Sequence, residues 1–109
     1  MSERKSVIKV SVMYPNSDDC TFDMTYYCDL HMPMVKELCG DACKGIAVDQ
    51  GLGGAEPGSP AVYVAIGHLL FESLDEFQAA FGPHATSIMG DIPNYTNSTP
   101  TIQISEIKL

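Results

Sequence analysis

Residues 61–71 are apolar on both sides of the alternation that a β-strand imposes. Successive strand side chains point to opposite faces, so Val62, Val64, Ile66 and Leu70 share one face with His68, while Tyr63, Ala65, Leu69 and Phe71 share the other. A sheet with one face in water alternates apolar with polar residues; this one predicts cover on both sides. A chain of 109 residues is one domain, residues 1–109, and has no material for a third layer. The least costly cover is the same sheet from a second copy, which predicts a two-fold homodimer closing a barrel-like core. If the face of Ala65 is the partner side, Ala65→Glu splits that dimer.

The remaining elements follow from periodicity and punctuation. Residues 6–14 alternate through Ile8, Val10, Val12 and Tyr14, and the run from Pro15 to Asp19 ends that strand with turn chemistry. Asp23 caps a helix with Tyr27, His31, Val35 and Leu38 on one stripe, and Gly40 stops it. Residues 45–48 form a short strand, and residues 51–60 a loop rich in glycine and proline. Ser73 with Glu76 is a capping box for a second helix striped by Leu74, Phe77, Phe81, Ala85 and Ile88 and interrupted at Gly82-Pro83. Residues 101–107 alternate through Ile102 and Ile104. The order βαββαβ is that of an α+β, ferredoxin-like unit with an antiparallel sheet covered on one face by two helices.

Charge and composition exclude several function classes. The formal net charge of −8, with no cluster of Lys and Arg, repels nucleic acid and anionic membrane surfaces. No apolar run reaches membrane-spanning length, and residues 1–5 lack the apolar segment of a secretory signal, so the expected location is cytoplasmic. Cys20, Cys28, Cys39 and Cys43 then read as free thiols, because a cytoplasmic domain with a core of its own needs no disulfides. Cys39 and Cys43 lack a second ligand pair at zinc spacing, and His31, His68 and His84 lie on separate elements, so no metal site is assigned. The loop from Gly51 to Glu56 is no dinucleotide fingerprint, since Glu56 stands where the last small residue belongs and no helix follows.

Chemistry concentrates between Phe22 and Pro33. Tyr27 and His31 stand at i and i+4 on one helical face, and Pro33 removes the amide that would bond the carbonyl of Asp29. A bend beside His31 would open a pocket. An imidazole titrating near pH ~6.5 can accept and return a proton, and Tyr27 can orient it or bind an anionic oxygen, although such a pair also serves as plain helix packing. His68 sits mid-strand among apolar neighbours and needs a partner, which His31, a ligand, or backbone and water would supply. Asp91 and Tyr95 reach the pocket mouth if their loop folds over it; alternatively Asp91 only organises the turn at Pro93.

Four segments together resemble the EthD family, named after ethyl tert-butyl ether degradation. They are Phe22-Asp23 with Tyr26-Tyr27, His31 and Pro33; Ala65-Ile66-Gly67-His68-Leu69 with Phe71, Ser73 and Phe77; Asp91-Ile92-Pro93-Asn94-Tyr95-Thr96; and Pro100 with Ile102-Gln103-Ile104-Ser105. The resemblance implies a dimeric α+β barrel of ferredoxin-like halves. Some EthD-like proteins are labelled reductases and others look like cofactor-free dehydratases of polyketides, while the wider superfamily includes isomerases, cyclases and cofactor-free monooxygenases. Fold does not choose among these.

Two functional expectations result. In the first, the protein is a cofactor-independent enzyme, a lyase, isomerase or oxidoreductase, acting on a small, mostly apolar, oxygen-bearing compound in a degradative or secondary metabolic pathway. His31 and Tyr27 are its catalytic residues, and His68, Tyr26, Asp91 and Tyr95 contact substrate. In the second, the same groups hold a metabolite for a partner oxygenase without turnover. The first reading requires Tyr27, His31 and His68 to line one cavity, and histidines on opposite sides of the sheet would remove it.

Overall fold

The computed structural model describes residues 7–109, so Ser6, expected at the start of the first strand, lies outside the described residues. The chain runs through β1 (Val7–Pro15), α1 (Met24–Tyr26), a π-helical turn (Tyr27–His31), α2 (Met32–Cys39), β2 (Gly45–Gln50), β3 (Tyr63–Phe71), α3 (Leu74–Phe81), α4 (Ala85–Gly90) and β4 (Thr101–Ile107). The strands form one antiparallel sheet in the order β2-β3-β1-β4, which is the ferredoxin-like α+β arrangement. β2 extends two residues beyond the predicted end because an edge strand tolerates the polar Asp49 and Gln50, which pair with Ile66 and Ala65.

Local chemistry accounts for the helix boundaries. Asp23 accepts a hydrogen bond from the Tyr26 amide at 3.0 Å, and Ser73 accepts one from the Glu76 amide at 3.1 Å. Gly40 ends α2 with φ +63°, a backbone region that glycine enters without a Cβ penalty. Gly82-Pro83 separates α3 from α4 through a 3-10 turn. The first helix departs from expectation. It is no single helix bent at Pro33: without a proline amide for the Asp29 carbonyl, the preceding turn widens, and the Met32 amide bonds Tyr27 O five residues back.

The register decides which face lies under the helices. Val48, Gly67, Val12 and Ile102 form one row across the sheet, and Ile46, Leu69, Val10 and Ile104 the next. Ala65, Gly67, Leu69 and Phe71 are buried on this face, with Phe71 and Phe77 rings 5.2 Å apart. Ala65 therefore sits in the helix-facing core at 0% exposure, which removes it from the partner side. The other face carries Val64, Ile66, His68 and Leu70, all half-buried.

Gly67 is the point of closest approach between the first helical segment and the sheet, since a Cβ built there would overlap the Tyr27 hydroxyl. The Tyr27 ring cannot retreat easily, because Tyr14 and Phe22 pack edge-on against it at 5.5 and 5.1 Å. Gly67→Ala should therefore destabilise the fold by about 2 kcal/mol through overpacking. Chemical denaturation checks this, and an unchanged midpoint would mean that Tyr27 is not held against β3.

Candidate functional site

The π-helical turn aims Tyr27 and His31 inward together, with rings stacked at 5.4 Å and 15°. His31 is 4% exposed, and its polar edges are met from the segment that follows α4. Its Nδ1 lies 2.9 Å from Asp91 Oδ2. Asp91 is held in turn: the Tyr26 hydroxyl and the Asn94 amide donate to its Oδ1 at 2.7 and 2.8 Å. On the other side of the imidazole, Nε2 lies 3.4 Å from the Tyr95 hydroxyl, which makes a short 2.6 Å bond to the Tyr14 hydroxyl. The ring of Tyr95 packs on both His31 and Tyr26.

This geometry fixes the tautomer. An ionised Asp91 only accepts hydrogen bonds, so Nδ1 carries the hydrogen and the Nε2 lone pair faces Tyr95. Burial lowers the His31 pKa below its ordinary 6.5, outweighing the hydrogen bond and charge of Asp91, which pull the other way. Burial pushes Asp91 upward, yet the hydrogen bonds from Asn94, His31 and Tyr26 together hold its pKa below the ordinary carboxylate value. Tyr14, Tyr27 and Tyr95 are raised chiefly by burial, so all three remain protonated donors. At neutral pH the site is a neutral imidazole oriented by a carboxylate and faced by phenolic hydroxyls. Such a group accepts a proton at Nε2 and holds the resulting cation against Asp91.

The histidines do not converge. His68 projects from the sheet face opposite His31, where its Nε2 lies 2.8 Å from Asp49 Oδ2 and its buried Nδ1 has no hydrogen-bond partner among the described residues. Strand alternation makes this unavoidable, since Gly67 and Leu69 beside it face the helices. The arrangement of Tyr27, His31 and His68 around one cavity is thus overturned, and the catalytic reading that required it falls with it; any chemistry has to rest on His31 and the residues gathered around it, without His68. Tyr27, His31, Tyr26, Asp91 and Tyr95 come together; His68 stands apart. The pocket expected at the Pro33 bend also takes another form. A concavity of about 430 Å³ is lined by Phe22, Asp23, Asn94, Tyr95 and Thr96, among others, and meets the His31 network at Tyr95.

A family model described as the EthD domain matches residues 19–99. The chain belongs to the EthD family. It is 44% identical to an EthD-like protein from Ralstonia eutropha JMP134, over 97% of this chain and 96% of that one, with a TM-score of 0.91. An EthD-family protein from Bacillus halodurans C-125 shares the fold at 14% identity, over 94% and 99% of the two chains, with a TM-score of 0.68. So does a dimeric ferredoxin-like protein of unknown function from Thermobifida fusca YX, at 14% identity, over 100% and 96%, with a TM-score of 0.61. No curated protein matches the chain.

Two residues of this EthD-family site went unread in the sequence. Tyr14 read as one more apolar position of β1, though a tyrosine buried at 1% exposure must place its hydroxyl somewhere. Asn94 read as loop composition, and its three-residue spacing from Asp91 was the available signal. Among the described residues no group of His, Cys, Asp and Glu is placed to hold a metal, and no helix is long and apolar enough to cross a membrane. Cys20, Cys28, Cys39 and Cys43 are free thiols, with Cys39 and Cys43 buried.

The lowered pKa of His31 has a thermodynamic consequence. The unfolded chain takes up the proton first as pH falls, so the contribution of His31 to stability is complete above about pH 7 and is lost as pH drops through ~6.5 toward the lower folded value. The thermal midpoint of the wild type should therefore fall more steeply between pH 7 and 5 than that of His31→Gln. Parallel curves would show that the native imidazole titrates normally.

Proposed function

We propose that this EthD-family protein binds a small, mostly apolar, oxygen-bearing organic molecule and moves a proton on it with His31, without a cofactor. The observation that carries this reading is the state of Nε2: a buried, carboxylate-oriented nitrogen whose partner, Tyr95, stands at the long distance of 3.4 Å. A ligand O–H or acidic C–H directed at Nε2 would replace that long bond. The chemistry suited to such a group is proton abstraction next to a carbonyl or from a phenol. The proton passes to Nε2, and the imidazolium leans on Asp91. Returning the proton to a different atom isomerises the ligand; giving it to a leaving hydroxyl dehydrates it. Tyr26 holds Asp91 in place, and Tyr27 stacks on the imidazole. His68 has no part in this chemistry.

The test is deuterium wash-in at the α-carbon of a panel of 1,3-dicarbonyl and β-hydroxyketone compounds in D₂O, followed by proton NMR. The wild type should exchange at least one compound faster than buffer, and His31→Gln should lose ~10²-fold or more of that rate. Exchange at the buffer rate across the panel, or undiminished in His31→Gln, defeats the proposal. Saturation-transfer contacts that persist without any exchange would favour the metabolite-binding protein.

We further propose that the protein acts as a homodimer joined through the outer sheet face. Support comes from the half-buried Val64, Ile66 and Leu70 on that face, from the unmet His68 Nδ1 among them, and from the dimeric relative of the same fold. Ile66→Glu should split the dimer, because an unpaired buried charge costs about 3–5 kcal/mol. Light scattering that finds a monomer for the wild type would defeat the dimer, and a dimer for both proteins would place the interface elsewhere.

A further inference from the structure

The His31 network does not end at Tyr95. Tyr95 bonds Tyr14 at 2.6 Å, and the rings of Tyr14, Tyr27 and Tyr95 pack within 5.0 to 5.9 Å of one another. Hydroxyls both donate and accept, so a row of them can reverse direction by rotation alone. With His31 neutral, Tyr95 donates to Nε2 and Tyr14 donates to Tyr95. With His31 protonated, Nε2–H donates to Tyr95, Tyr95 donates to Tyr14, and the Tyr14 hydroxyl turns its hydrogen away from Tyr95.

We propose that Tyr14 is a positioning residue that acts through Tyr95: the two hydroxyls form a reversible hydrogen-bond wire that keeps buried His31 satisfied in either protonation state. This rests on the proton-transfer reading of the site and adds what that reading lacks, a means for the imidazole to hold a proton between taking it up and returning it. The groups facing His31 are Asp91 at Nδ1, Tyr95 at Nε2 and Tyr27 against the ring; Tyr26 and Asn94 act through Asp91, and Tyr14 through Tyr95. The wire predicts opposite effects from its two ends. Removing the Tyr14 hydroxyl leaves Tyr95 with an unmet donor only when His31 is charged, so it disfavours the cation. Removing the Tyr26 hydroxyl takes a donor from Asp91, so it favours the cation.

The experiment is an NMR titration of the His31 imidazole in the wild type, Tyr14→Phe, Tyr95→Phe and Tyr26→Phe, which requires no substrate and no turnover. Tyr14→Phe keeps the ring and its packing, and it should lower the His31 pKa by about 0.5 or more. Tyr95→Phe should lower it further, and Tyr26→Phe should raise it. If Tyr14→Phe does not fold, the order of Tyr95→Phe below wild type below Tyr26→Phe carries the test, and in the wild type the buried tyrosine hydroxyl resonances should move with the midpoint of His31. A His31 pKa indifferent to both Tyr14 and Tyr95, or hydroxyl resonances that ignore its titration, would reduce Tyr14 to a packing residue. Failure of the deuterium exchange with this pattern intact would leave the wire standing and remove the chemistry assigned to it.

Discussion

The hydrogen bond between His31 and Asp91 organises the rest of the molecule around it. A buried polar nitrogen without a partner costs free energy, and the turn after α4 meets that cost by bringing Asp91 to Nδ1 at 2.9 Å. That requirement sets the course of the segment from Asp91 to Thr96, whose 3-10 turn places Asn94 back on Asp91 and Tyr95 against the imidazole. It also gives the π-helical turn a function in addition to its cause. Pro33 denies an amide to Asp29, and the widened turn that results presents Tyr27 and His31 side by side to the core. Site and fold thus share one set of contacts between distant parts of the chain, which the bridge between Phe22 and Thr96 and the Asp23 amide bonded to Tyr95 O also tie together.

The elements that could be read from the sequence are those whose pattern is local. Strands β1 and β4 and the caps at Asp23 and Ser73 follow from alternation and from side-chain oxygens that need only their nearest amides. The placement of His68 was legible in parity but not in side. Alternation put it with Ile66 and Leu70, yet both faces of β3 are apolar, so nothing local says which of them the helices cover. The register resolves this through Gly67: the residue with no side chain is the one that admits Tyr27. Asp91 and Tyr95 were expected at the pocket mouth only if their loop folded over it, and that they bond His31 itself was illegible for a related reason. Asp91 and Tyr95 are 60 and 64 positions away, and a hydrogen bond over that separation leaves no periodic trace.

The two faces of the sheet divide the labour of the molecule. The helix-facing side encloses a polar network inside an aromatic shell, where Tyr14, Tyr27 and Tyr95 are all at most 3% exposed. The opposite side keeps His68 and Asp49 among half-buried aliphatic residues, the face on which the proposed dimer rests. Burial within one chain keeps His31 neutral at neutral pH, with one nitrogen committed to a carboxylate and the other facing Tyr95.

The central claim is therefore about one hydrogen atom. A long-range proton–nitrogen correlation spectrum of uniformly ¹⁵N-labelled protein at pH 7 reports which imidazole nitrogen of His31 is protonated. The account predicts a neutral ring with hydrogen on Nδ1 and an unprotonated Nε2 facing Tyr95. A ring protonated on both nitrogens, or a neutral ring with its hydrogen on Nε2, would contradict it.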